Sequence, residues 1–185
     1  MNQLQAINHD VYFDRNRFPK YGQGEIDFLK DQVNTSSKGR VRICFHSSEE
    51  DRLNEMLIVF RKDSFIRPSR HIGKDESLFI IEGSGFYCFF EEDGNVFDIV
   101  ELNTLSANRY CRINAGVIHA LLISTELFIA KETISGPFAV EDTVFPDWSP
   151  QSKSDISWPN LHNKILSYAE KEKDRGFVDR LVLAF

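Results

Sequence analysis

The sequence lacks the marks of several large classes of protein. No apolar run approaches the roughly 18–20 residues of a membrane-spanning helix, and the opening MNQLQAINHD has neither the basic start nor the apolar stretch of a secretory leader. Both absences predict a cytoplasmic protein with no membrane partner. Cysteine is scarce: three residues, Cys44, Cys88 and Cys111, far apart and with no CxxC pair. An odd, scattered set excludes a disulfide framework and a cysteine-type zinc motif, and the apolar neighbours of each predict buried free thiols. Positive charge is also short, with 22 Lys and Arg against 28 Asp and Glu and a net charge of −6, which argues against nucleic acid as a partner. Long amphipathic stretches between the strand-like runs are missing, so a parallel α/β sheet is disfavoured. The chain has no internal repeat and no low-complexity segment.

What is present is enough for one core. The chain has 185 residues, 42% of them hydrophobic and 16 of them Phe, a size and composition that fit one domain with short extensions. From Arg40 to about Glu132, short β-type runs alternate with turn residues: Val41–Phe45, Glu55–Phe60, Leu78–Ile81, Phe86–Phe90, Val96–Leu102, Tyr110–Ile113, Ala120–Ile123 and Leu127–Glu132. Asp93-Gly94 reads as a hairpin turn. Many short strands at regular spacing predict an all-β antiparallel sandwich or barrel over residues 40–150. Residues 1–39 form an N-terminal extension with a short helix at Glu25–Val33, its face set by Ile26, Phe28, Leu29 and Val33. Residues 151–185 form a C-terminal extension in which Leu161, Ile165, Leu166, Tyr168 and Ala169 have helical spacing, with Gly176 ending or interrupting the helix. The apolar tail Phe177, Val178, Leu181, Val182, Leu183 and Phe185 has to pack on the barrel or on another subunit. That tail and the sheet edges of such a barrel predict a homodimer.

The charge is uneven. Lys38 to Lys74 holds nine basic residues against five acidic ones. That segment is either a solvated strand face or a basic rim for an anionic small molecule, with Arg67, Arg70 and Lys74 as the groups that would meet a phosphate or carboxylate. Among five histidines, His71 stands close before Glu76 with Gly73 between them, and His119 follows the tight turn Asn114-Ala-Gly116. Ser69 and His71 share strand parity. Two imidazoles and one carboxylate inside a barrel leave coordination positions open and suit one divalent ion: Fe, Mn, Ni or Zn. The alternative is a surface His71–Glu76 pair at a loop. His46 is either a hydrogen-bonded core histidine or a substrate contact near the metal; His9 and His162 lie outside the motif region.

These residues resemble the cupin superfamily. Ser69-Arg70-His71, four residues, Glu76, six residues and Gly83 match the first cupin motif except at its first histidine, where Ser69 stands. Asn114-Ala-Gly116-Val-Ile-His119 matches the second motif at Gly116 and His119, with Asn114 in place of proline and Ile123 in place of asparagine. Arg42-x-Cys44-Phe45-His46, Leu57-Ile-Val-Phe60, Arg67-Pro68-Ser-Arg-His71, Lys74-x-Glu76, Glu92-Asp-Gly94, Gly136-Pro137 and Phe145-Pro-Asp-Trp148-Ser-Pro150 narrow the resemblance to the WbuC family of cupin-fold metalloproteins, over about residues 26–150. The resemblance implies a cupin double-stranded β-helix, an antiparallel jelly roll, with His71, Glu76 and His119 as metal ligands and Ser69 at a vacant ligand position. It also implies a link to surface-polysaccharide biosynthesis. The resulting expectation is a metal-dependent isomerase- or epimerase-like protein for a small anionic, carbohydrate-related substrate bound by His46, Arg67, Arg70 and Lys74. The alternatives are a non-catalytic sugar-binding or regulatory cupin and an Fe(II)-dependent dioxygenase.

Overall fold

A computed structural model describes residues 3–105, 108–172, 176, 178–182 and 184–185. Its centre is two facing sheets. The larger runs in the order β1 (Leu4–Asn8), β2 (Val11–Asp14), β3 (Arg40–Cys44), β4 (Leu53–Arg61), β11 (Leu127–Ser135), β6 (Glu76–Glu82) and β9 (Tyr110–Ile113). The smaller runs β10 (Ile118–Ile123), β7 (Ser84–Phe90), β8 (Val96–Asn103). A short pair, β5 (Arg70–His71) with β12 (Thr143–Val144), continues that second layer through a bridge between Ser69 and His119. All pairings between named strands are antiparallel except β2 with β3. This is the cupin double-stranded β-helix that the sequence predicts, with the short helices where the extensions were expected.

Period-2 alternation decides which residues face in. On β11, Phe128 and Ala130 enter the inter-sheet core with Ile58 and Phe60 of β4, Leu78 and Ile80 of β6, Tyr87 and Phe89 of β7, and Leu121 and Ile123 of β10. The opposite parity faces helices. α1 (Gln23–Val33) lays Ile26, Leu29 and Val33 on Val41, Ile43, Leu57 and Val59, and the Glu25 carboxylate caps it by accepting from the Gly22 N–H at 2.8 Å. α2 (Trp158–Lys171) starts with Pro159 in its first turn, where a missing N–H costs nothing. Its Leu161, Ile165 and Ala169 cover Phe86, Cys88, Phe90, Ile118 and Ala120. The predicted Cys44 and Cys88 thiols are buried and free; Cys111 is half-buried and free.

Two findings go beyond the expectation. The N-terminal extension holds a hairpin, β1–β2, that lengthens the large sheet. The C-terminal tail folds back: α3 (Val178–Val182) buries Leu181, Ala184 is buried, and the Phe185 ring stacks on His162 at 3.8 Å between centroids. The described part of the tail therefore packs on its own chain and no longer argues for a dimer; Phe177 and Leu183 lie outside the described residues. The motif glycine Gly83 sits at φ +91, and a Cβ there would lie 2.3 Å from the Leu127 carbonyl oxygen. The β6–β7 turn therefore demands glycine on two counts.

Candidate metal centre

Three strands bring the donors together. β5 carries His71, the first residue of β6 is Glu76, and β10 carries His119. Ser69 N–H donates to the His119 carbonyl at 3.0 Å and His119 N–H donates to the Ser69 carbonyl at 2.9 Å, which fixes the segment before β5 against β10. Glu76 and His119 are buried and His71 is half-buried. One Glu76 oxygen, Oε2, lies 3.2 Å from His71 Nε2 and 3.5 Å from His119 Nε2. One donor atom from each of the three residues lies within 4.8 Å of the others. An ion about 2.0–2.2 Å from each donor requires separations of at most about 4.4 Å, so side-chain shifts of a few tenths of an ångström suffice.

The outer contacts orient the donors. His119 Nδ1 lies 3.0 Å from the Val117 carbonyl, which accepts only, so Nδ1 carries a proton and Nε2 is the atom turned to the carboxylate. His71 Nδ1 lies 3.1 Å from Thr143 Oγ1, across the β5–β12 pair. The Tyr87 hydroxyl donates to Glu76 Oε1 at 2.9 Å and leaves Oε2 for the imidazoles. Each Nε2 can meet Glu76 Oε2 either as an N–H donor or with a metal ion standing between them. Burial alone would raise the Glu76 pKa, but the hydrogen bonds with His119 and His71 outweigh it and hold the carboxyl well below the usual range. Burial opposes protonation of His119, yet the Glu76 carboxylate outweighs it and raises the imidazole. The donor set fits a divalent cation: two neutral nitrogens, one anionic oxygen, and no lysine or arginine inside the set.

The triad opens on a cavity of about 490 Å³, within the common range for small-molecule sites. Ser69 lines it, as its parity with His71 requires. His46 lines it too; its Nδ1 is 3.1 Å from the Glu55 carbonyl, it packs edge-on to Phe13, and burial lowers its pKa. Arg67 reaches the lining, but its guanidinium donates to Ser149 Oγ and Ser149 O at 3.1 and 3.0 Å and lies over Phe145. Arg70 pairs with Glu92, and Lys74 lies 3.7 Å from Asp142; neither is among the lining residues. The structure thus brings His46, Arg67 and Ser69 to the cavity of the triad, and not Arg70 or Lys74.

Sequence reasoning missed the charged lining residues Arg40, Arg42, Glu49 and Glu132. Parity was the available signal, since Arg40 and Arg42 alternate with buried Val41 and Ile43, and Glu132 is in phase with Phe128 and Ala130. Glu132 faces the cavity and is half-buried. Burial first, and then the Glu76 carboxylate, push its pKa up to about 7.

Comparison with known proteins agrees with the fold. The family model described as Domain of unknown function (DUF6016) matches residues 22–102, fewer than half of the chain. No curated protein matches. Among solved structures, protein SO0799 from Shewanella oneidensis is 14% identical over 64% of this chain and 82% of that one, with a TM-score of 0.52. The capsular polysaccharide assembling protein CapF from Staphylococcus aureus is 16% identical over 60% of this chain, with a TM-score of 0.48. A point mutant of the Bacillus subtilis oxalate decarboxylase OxdC is 17% identical over 60%, with a TM-score of 0.46. This chain covers only 31% of CapF and 29% of the decarboxylase. At 14% identity the likeness to protein SO0799 is one of fold. Fold and site together define a cupin-fold protein with a buried His–Glu–His donor set. No described helix is long and apolar enough to cross a membrane.

Proposed function

We propose that this chain is a metal-dependent cupin that transforms a small anionic, carbohydrate-related molecule by isomerisation or epimerisation. The observation that carries the reading is the convergence of His71, Glu76 and His119 on one point at the wall of a cavity large enough for a monosaccharide. His71, Glu76 and His119 would hold one divalent ion, with Ser69 beside them leaving a position for water or substrate. Such an ion polarises a substrate oxygen and stabilises negative charge on it. Tyr87 fixes the Glu76 carboxylate. Glu132, which lines the same cavity, supplies what the sequence had not shown: a carboxyl group able to take or give a proton there. His46 and Arg67 would contact the substrate from the rim. A WbuC-type role in surface-polysaccharide biosynthesis, a cytoplasmic location and a homodimer through the exposed β6–β9 edge, where Phe79 faces Tyr110, belong to the same proposal.

The test is incubation of the metal-loaded protein with sugar acids and sugar phosphates in D2O. The reading expects solvent deuterium at a carbon beside a carbonyl, lost in His71→Ala and reduced in Glu132→Gln. A second reading, a non-catalytic sugar-binding cupin, is favoured by Ser69, which stands where a donor histidine would tighten the ion. Ligand binding with no exchange and no turnover would select it. An Fe(II) dioxygenase with the same ligands would instead consume oxygen.

A further inference from the structure

The cavity has a second charged wall. β3 turns Arg42, half-buried, and Arg40, more exposed, to the cavity side, because Val41 and Ile43 on the other parity pack against α1. Among the described residues neither guanidinium has a carboxylate partner, whereas Arg61, Arg70, Arg112 and Arg180 pair with Asp63, Glu92, Asp75 and Glu101. Arg42 Nε is buried and has no hydrogen-bond partner. Glu49 and Glu132, the lining carboxyls besides Glu76, form no ion pair with either arginine. Burial, and then repulsion from Arg42, lower the Arg40 pKa. Glu132 and Asp10 attract Arg40 without forming an ion pair with it, so two like charges side by side, Arg42 half-buried and Arg40 exposed, destabilise the empty protein. An anion entering between them removes that penalty, and a guanidinium fork matches the paired oxygens of a carboxylate or phosphate.

The register sets the distance to the triad. Arg42 faces Ile58 and Cys44 faces Met56; Met56 faces Glu132; Asn54 faces Ile134, which faces Glu76. β4 and β11 therefore separate the arginine wall from the strand of Glu76 by three strand spacings of about 4.8 Å each, and Glu76 lies four residues along β6 from Ile80, which stands in the row of Arg42, Ile58 and Ala130. Arg40, Arg42, His71, Glu76 and His119 nonetheless line one cavity.

We propose that Arg42, assisted by Arg40, anchors the oxyanion, carboxylate or phosphate, of a sugar-sized ligand whose other end faces His71, Glu76 and His119. This deepens the proposed function, but the anchor itself needs no metal. It also relocates anion recognition from the outward-paired Arg70 and Lys74 to the inner face of β3.

The experiment measures binding of D-galacturonate and D-glucose 6-phosphate against neutral D-galactose and D-glucose by calorimetry at fixed ionic strength. The full chain is used both chelator-stripped and metal-loaded. At least one anionic sugar should bind tenfold or more tightly than its neutral parent, with or without metal. A carboxylate-only preference identifies a sugar acid, and a phosphate-only preference a sugar phosphate. Arg42→Gln should abolish the preference while metal still binds stoichiometrically, and Lys30→Gln, an equal charge change on α1, should leave it unaltered. If Arg42→Gln does not fold, Arg42→Lys carries the test, with a several-fold loss expected. No anion preference in the wild type, or an undiminished one in the Arg42 variants, overturns the proposal. An intact anion preference in a protein that takes no metal would instead overturn only the metal-dependent function.

Discussion

Ser69 lies directly across from His119: the two exchange both backbone hydrogen bonds, at 3.0 and 2.9 Å, in an isolated antiparallel bridge. A side chain at position 69 therefore starts beside a metal-ligand backbone and shares the cavity with His71. Ser69→His should tighten divalent metal binding by at least tenfold, because a fourth neutral donor replaces water. Competition against a chromogenic chelator measures it. Unchanged affinity would mean that position 69 does not reach the ion.

Tyr87 hydrogen-bonds the ligand carboxylate from a buried position. Tyr87→Phe removes the donor and leaves Glu76 Oε1 unsatisfied, at a cost of about 1–3 kcal/mol in stability, and it should weaken metal affinity about tenfold or more. Thermal unfolding and chelator competition test the two effects separately.

The Glu132 carboxyl is raised in the folded protein, so folding favours its protonated form. Its contribution to stability is complete below the usual carboxyl range and is lost as pH rises through about 7. Glu132→Gln should remove that loss, so that in chelator the variant gains on the wild type between pH 5 and 8. Parallel stability–pH curves would contradict the assignment.

The two motif glycines should differ. Gly83→Ala meets the Leu127 carbonyl as well as a positive φ, whereas Gly116 at φ +83 has nothing within 4 Å of a Cβ. Gly116→Ala should cost about 1–2 kcal/mol, the price of the left-handed backbone alone, and Gly83→Ala clearly more. Urea unfolding of both variants gives the comparison.

The legible parts of this structure were those set by local pattern. Turn-bounded runs located the barrel strands, and the spacing of His71, Glu76, Gly83, Gly116 and His119 located the triad. The β1–β2 hairpin escaped notice because its strands are short, β1 is largely exposed, and the pairing with β3 is parallel and non-local. Arg70 and Lys74 looked like ligand contacts because they flank His71 in sequence, but the strand sends Arg70 to the face opposite His71, and Lys74, in the loop after β5, lies beside Asp142. The same parity brings Arg42 and Glu132 inside. Once the strands were assigned, the phase of each run held that information; the charge count over the segment did not.

The central claim is a metal site made by His71, Glu76 and His119. Its most direct test is elemental analysis of untagged protein, with a titration of the stripped wild type and His71→Ala by Fe(II), Mn(II), Ni(II) and Zn(II). The account predicts one divalent ion per chain in the wild type and loss of stoichiometric binding in His71→Ala, since two protein donors hold a labile ion poorly. A wild type that takes up none of these ions, or a His71→Ala protein that titrates identically to it, would contradict the account.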